Sequence, residues 1–381
     1  MKKMSKIVSL TMAAALAAAS LSMSACADGE EKIEIAVTGG GEDSMQLNTA
    51  TSGYLNGLSA LRHLYEGLYK LDANGEIALG QAASAETSED KLTWTFTLRD
   101  DITWSDGQPV TAGDFVFGFD NLAAQGGDYS TILSDVAESY EAPDDKTLVI
   151  KLKQPCGYLP SILAFPSTYP ARQDYVEKYG EAYATDPDKA VYNGPYEMES
   201  WAHESEVVMK LRDDYYDAAN IEVGTINWEL ITEESSALAS FESGDYVYSD
   251  MCPDEEKPRM EGNGLVYTEG NNNYCVMFKL GYKGNEVLKD EKVREALSLT
   301  IDRDRLISIR GLNDEMGVTL ACRGYVNADG TDFVDYCDPW EDVSAYEENC
   351  ETAKQLLSDA GYPDGEGFPA LTYIVNNDSR K

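Results

Sequence analysis

The stretch that most narrows the possible folds is Leu92 to Phe115, LTWTFTLRDDITWSDGQPVTAGDF. Leu92, Trp94, Phe96 and Leu98 alternate with Thr93, Thr95 and Thr97, which predicts a half-buried strand. Ser105-Asp106-Gly107 then supplies a turn, because Asp bonds the backbone ahead of it and Gly accepts positive φ, and Pro109 fixes φ for the departing chain. Thr111 with Asp114 three residues later is a capping-box spacing, and it places a carboxylate at the positive end of a helix dipole. A strand passing through a tight turn into a capped helix, GDFVFGFDNLAAQ, is a unit of α/β architecture. It contains no nucleophile, base or ligand cluster.

The same reading extends along the chain. KIEIAV alternates as a short strand, and KTLVIKLK reads as another. GLSALRHLYEGLYKLD places Leu58, Leu61, Leu64, Tyr65 and Leu68 on one helical face and is followed by the turn DANGE. VREALSLTIDRDRLI reads as one helix of mixed charge. NCETAKQLLSDAGYPDGEGFP reads as a helix stopped at Gly361, with Pro363 beyond. At 381 residues the chain can build two or three lobes, and without a low-complexity linker or repeat these are expected to be interwoven.

The amino terminus has Lys2, Lys3 and Lys6 before an uncharged run from Ile7 to Ala25, then Cys26, the layout of a secretory signal. The run is Ala/Ser-rich and ends in small residues, which favours a cleaved signal over a membrane anchor. MSAC resembles a bacterial lipobox, so residues 1–25 are expected to be a lipoprotein signal peptide and Cys26 the lipidated terminus. Cleavage removes three lysines and no acid and takes the net charge from −38 to −41. That sign argues against nucleic acid or anionic lipid as a direct partner, and most of it serves solubility.

Motifs for catalysis are missing from the sequence. The two histidines, His63 and His203, sit in a helical stretch and beside Trp201, where structural roles are ordinary. There is no G-x-S-x-G, H-E-x-x-H or P-loop, and TGGGED at Thr38 to Asp43 has no phosphate-binding lysine. Beyond Cys26, the cysteines 156, 252, 275, 322, 337 and 350 lack zinc spacing; Cys322 with Cys337 is the natural local pair, and free thiols are the alternative. No cofactor or metal is expected. Twenty-four Tyr, five Trp and nine Phe provide core, and also the rigid amphipathic lining suited to a small-ligand cleft.

Five segments in order, LRHLYEGLYKLDANGEI, LTWTFTLRDDITWSDGQPVTAGDFVF, NGPYEMESW, VREALSLTIDRDRLI and AKQLLSDAGYPDGEGFP, give the chain a family. It resembles the extracytoplasmic solute-binding proteins, family 5, the oligopeptide- and dipeptide-binding receptors of ABC importers. The resemblance implies an α/β fold of periplasmic-binding-protein type (type II, cluster C), with two main lobes and an inserted one closing on a peptide by hinge motion. Lobe I would comprise 26–71 and 170–270, the inserted lobe II 72–169, and lobe III would begin at 271. The family's lining segments fall on Ser52, Gly53 and Tyr54, on Phe117, on Asp250 and Met251, and on Asn272, Tyr274 and Cys275. Partners so implied are a peptide ligand, importer permease subunits and, through the lipid anchor only, the extracytoplasmic face of a bacterial membrane. Because the family's members are longer, the resemblance reads this chain as C-terminally truncated after YIVNNDSRK. Lobe III would then be incomplete, without the acidic residue that pairs with a peptide's amino terminus, and peptide binding is expected to be weak. Other readings are the same fold holding a nickel chelate, opine or oligosaccharide, a peptide-sensing or adhesive lipoprotein without a transporter, and a secreted hydrolase.

Overall fold

The computed structural model describes residues 33–38, 45–53, 55–249, 251–253, 256, 259–260, 285–310, 324–325, 327, 329–336 and 345–372. It divides into two compact units, Met1–Met251 and Cys252–Lys381.

The first unit is built on a five-stranded sheet that draws on distant parts of the chain. Strand β1 (Ile33–Thr38) lies between β10 (Val223–Glu229) and β11 (Tyr248–Ser249) and is parallel to both. Antiparallel β9 (Glu206–Leu211) and β8 (Tyr196–Ala202) complete the order β11-β1-β10-β9-β8. Helix α1 (Leu55–Leu64) packs on β8 through its apolar stripe, and Leu58, Leu61 and Leu64 are buried.

Between β1 and β8 the chain builds a second sheet. A ribbon, β2 (Tyr69–Leu71) with β3 (Ile77–Leu79), leads into β4 (Ala82–Thr87) and β5 (Thr93–Leu98), with β6 (Ala137–Asp144) and β7 (Thr147–Leu152) following. The antiparallel order is β4-β5-β7-β6. Helix α2 (Ala112–Gln125) covers this sheet through Phe115 and Phe119, which are in the core. The expected turn and cap are present. Gly107 has φ 81°, Thr111 Oγ1 accepts from Asp114 N at 3.3 Å, and Thr111 N donates to Asp114 Oδ2 at 2.9 Å. Trp104 is fully buried and donates Nε1 to the same carboxylate at 3.2 Å, so strand end, turn and helix start share one polar knot. Burial pushes the Asp114 carboxyl up, against the pull of these donors.

Two expected helices are shorter than their apolar spacing suggests. The stretch from Gly57 to Asp72 is helical only to Leu64. Its later residues leave the helix because Tyr65 N still bonds Leu61 O while Gly194 N takes Leu64 O, and Tyr69–Leu71 pairs with β3 instead. A side chain at Gly194 would stand 2.6 Å from Tyr65 N, so only glycine allows this docking. VREALSLTIDRDRLI splits into α6 (Glu291–Leu299) and α7 (Arg303–Arg310), because Asp302 turns its carboxylate to Arg305 N at 2.9 Å and starts a new helix. Between β7 and α6 lie the short helices α3 (Leu159–Leu163), α4 (Gln173–Tyr179) and α5 (Glu234–Ser243). In the second unit α6 packs on α8 (Tyr346–Asp359) through Ala296, Leu299 and Ala353, and α8 stops before Gly361 at φ 96°, as its sequence implied.

Candidate functional site

In an open sheet with parallel strands, ligands gather at the carboxyl ends, where loops diverge and backbone groups are left unpaired. Here β1, β10 and β11 all end on one side, at Thr38, Glu229 and Ser249. The β8–β9 turn at Ala202 to Glu206 reaches the same side, because Glu206 is the partner of Glu229. Thr38 is buried and donates Oγ1 to the Glu229 carbonyl at 3.2 Å. Burial, and then the Glu206 carboxylate opposite, push the Glu229 carboxyl above its usual range. Tyr246, ahead of β11, is raised by burial and then by Glu229. This end of the sheet is thus acidic and partly desolvated, a setting that favours hydrogen-bond donors and cations.

The loop before α1 is the second component. Asn48 organises it: Oδ1 accepts from Ala50 N at 3.0 Å, and the carbonyl accepts from Thr51 N and Ser52 N. Met45 and Leu47 anchor it in the core. Ser52 is 2% exposed, and its Oγ has no hydrogen-bond partner among the described residues. Helix α1 ends beside the start of β8, so Ser52 and Gly53 stand at its other end, on the side from which β1 leaves the sheet. Gly53 abuts the loop after α2: a Cβ there would lie 2.7 Å from Asp128 Oδ2, and one at Gly127 would lie 2.9 Å from Ala50 O.

Of the other residues singled out by sequence, Phe117 is half-buried on α2, where Phe115 and Phe119 take the core positions. Met251 follows β11 with its N–H on Ser249 Oγ, at 3.1 Å. Tyr54, Asp250, Asn272, Tyr274, Cys275 and Cys26 lie outside the described residues, as do Cys322 and Cys337. Cys156 and Cys350 are free thiols, and Cys252 Sγ donates to the Pro253 carbonyl at 3.7 Å. Among the described residues there is no metal-holding cluster of His, Cys, Asp and Glu, and no helix is long and apolar enough to cross a membrane. Sequence reasoning passed over Asp128, although the pair Gly126-Gly127 just before it marks a place where two backbones meet.

A buried polar seam holds this region to the intervening sheet. Glu66, just past α1, accepts from Gln81 Nε2 (2.8 Å), Tyr215 Oη (2.7 Å), Tyr216 Oη (3.0 Å) and Lys70 Nζ (3.1 Å). Arg212, 3% exposed, donates to the carbonyls of Tyr192 (2.9 Å), Gly194 (3.2 Å) and Thr103 (3.0 Å). Burial works against the Lys70 ammonium, but Glu66 and Tyr216 outweigh it and hold its pKa above the ordinary value.

Residues 76–381 match the profile of the bacterial extracellular solute-binding proteins, family 5 (middle region). The oligopeptide-binding protein OppA of Bacillus subtilis is 29% identical over 274 residues, covering 65% of this chain and 49% of that protein. The periplasmic oligopeptide-binding protein of Salmonella typhimurium is 29% identical over 324 residues, covering 79% and 58%. Among solved structures, OppA of Burkholderia pseudomallei superposes with a TM-score of 0.73 at 26% identity, over 88% of this chain and 68% of that one. OppA of Haemophilus influenzae, in complex with the peptide RPPGFSPFR, gives 0.74 at 25%, over 88% and 68%. The chain spans about half the length of the first curated relatives it matches.

Proposed function

This chain belongs to the bacterial extracellular solute-binding proteins, family 5, with their periplasmic-binding-protein-like α/β fold, and from that premise we propose that it receives peptides outside the cell and hands them to an ABC importer. The observation that carries the reading is that three parallel strands end on one side of the first unit, the side on which the glycine-containing Ser52–Gly53 loop also stands. Such an edge offers main-chain groups to an extended ligand, and main-chain pairing does not depend on the ligand's side chains. The peptide held by the Haemophilus influenzae relative supports the same ligand class.

In this reading Ser52, Gly53, Tyr54, Phe117, Asp250, Met251, Asn272, Tyr274 and Cys275 line the site. Lobe I is 26–71 with 170–270, lobe II is 72–169, and lobe III starts at 271. Cys26 carries the lipid that keeps the receptor at the outer face of the membrane. Calorimetric titration of the chain with a mixed library of di- to pentapeptides tests the proposal. Saturable heat with the library, and none with a nickel chelate, an opine or an oligosaccharide, is expected. Binding of one of those solutes in place of peptides refutes the assignment.

A further inference from the structure

Resting on the reading of residues 52–54 as ligand contacts, we propose that Asp128 is a ligand-binding residue that takes a cationic group of the bound peptide. The loop after α2 and the loop before α1 are seated backbone against backbone. Gly127 admits the Ala50 carbonyl and the Thr51 Cα, at 2.9 and 3.3 Å from where its Cβ would be, and Gly53 admits the Asp128 carboxylate. Two glycines lacking side chains at one contact bring a carboxylate from the intervening segment against the Ser52–Gly53 loop, which the proposed function reads as ligand-contacting. Any other residue at 53 would push Asp128 away.

The chemistry at this point is one-sided. Asp128 is exposed and, among the described residues, has no ion-pair or hydrogen-bond partner. In the facing loop, next to Gly53 in sequence, the buried Ser52 Oγ also lacks one. An exposed carboxylate without a partner accepts charge-assisted hydrogen bonds from an ammonium or guanidinium, which are stronger than those from a neutral donor. The aspartate leaves a ligand its choice of sequence elsewhere while rewarding positive charge near residue 53. The group is either the peptide's terminal ammonium or a Lys or Arg side chain, and one experiment separates them.

The full chain and its Asp128→Asn and Asp128→Glu variants are titrated with trialanine, N-acetyl-trialanine, and N-acetyl-Ala-Lys-Ala. The unmodified protein is expected to favour one cationic peptide over N-acetyl-trialanine by about tenfold, the scale of a charged hydrogen bond partly open to water. Whichever cationic peptide keeps the preference identifies the group. Asp128→Asn is expected to abolish the preference, and Asp128→Glu to restore part of it. A preference that survives Asp128→Asn, no preference in the unmodified protein, or an equal loss for all three peptides overturns the proposal while leaving peptide binding intact. Absence of binding to every peptide overturns both this inference and the function on which it rests.

Discussion

Replacing Glu66 by Ala tests whether the polar seam holds the main sheet and the intervening sheet together. The carboxylate is 4% exposed and accepts from four donors contributed by three separated stretches: Lys70, Gln81, and the pair Tyr215 and Tyr216. Removing it strands two buried neutral donors, on Gln81 and Tyr215, and a half-buried one on Tyr216. It also leaves the Lys70 ammonium with the Tyr216 hydroxyl, at 2.9 Å, and no carboxylate nearer than Asp217, 3.9 Å away. Breaking a buried pair from one side costs about 3–5 kcal/mol. Lys70 is 28% exposed and recovers some water, so the lower half of that range follows, roughly 3–4 kcal/mol. For a unit of this size each kcal/mol lowers the melting temperature by about 2–4 °C, which gives a fall of roughly 6–16 °C. Thermal unfolding followed by circular dichroism at pH 7, with urea titration for the free energy, reads the change directly. Glu66→Gln keeps the volume and one acceptor, so it should fall between wild type and Glu66→Ala. A Glu66→Ala melting temperature within 2 °C of wild type would refute the idea that this carboxylate holds the seam.

Other expectations follow from single contacts. Thr111→Ala removes one half of the α2 capping box and is expected to cost about 1 kcal/mol in a urea titration with peptide affinity unaltered, and a selective loss of binding would mean the cap belongs to the site. The bidentate hydrogen bond from Arg99 holds the Asp101 carboxyl below its usual range, and Arg172 does the same for Asp174. Their contribution is present above the unfolded aspartate value of about 3.9 and is lost as pH falls through the depressed folded values. The urea midpoint should therefore drop as pH falls below about 4, and Asp101→Asn with Asp174→Asn should flatten that drop; an unchanged slope contradicts the assignment. Cys26→Ala should release the protein from membrane fractions or leave the precursor uncleaved, whereas unchanged fractionation with Met1 still in place excludes lipidation at this residue.

What the sequence determines here is local. The Thr alternation of β5, the Asp106-Gly107 turn and the Thr111–Asp114 box are each set by neighbours within a few residues, and the structure keeps all three. The glycine stop of α8 is of the same kind. The family was legible for that reason too, since its recognisable segments are these local units in order. What depended on distant partners was not legible. Gly57 to Asp72 has helical apolar spacing throughout, yet Gly194 takes the Leu64 carbonyl and β3 captures Tyr69–Leu71, so packing overrides periodicity after Leu64. The parallel pairing of β1 with β10 joins residues about 190 positions apart and defines the carboxyl edge of the sheet, where the separate antiparallel pairing of β9 with β10 sets Glu206 beside Glu229. Ser52 and Gly53 came from the family resemblance, but the carboxylate of Asp128 against them came from two loops brought together by the fold. Backbone bonding and capping act over one turn and can be read in one dimension. The approach of two glycines from separate loops is a tertiary event and can be read only in three.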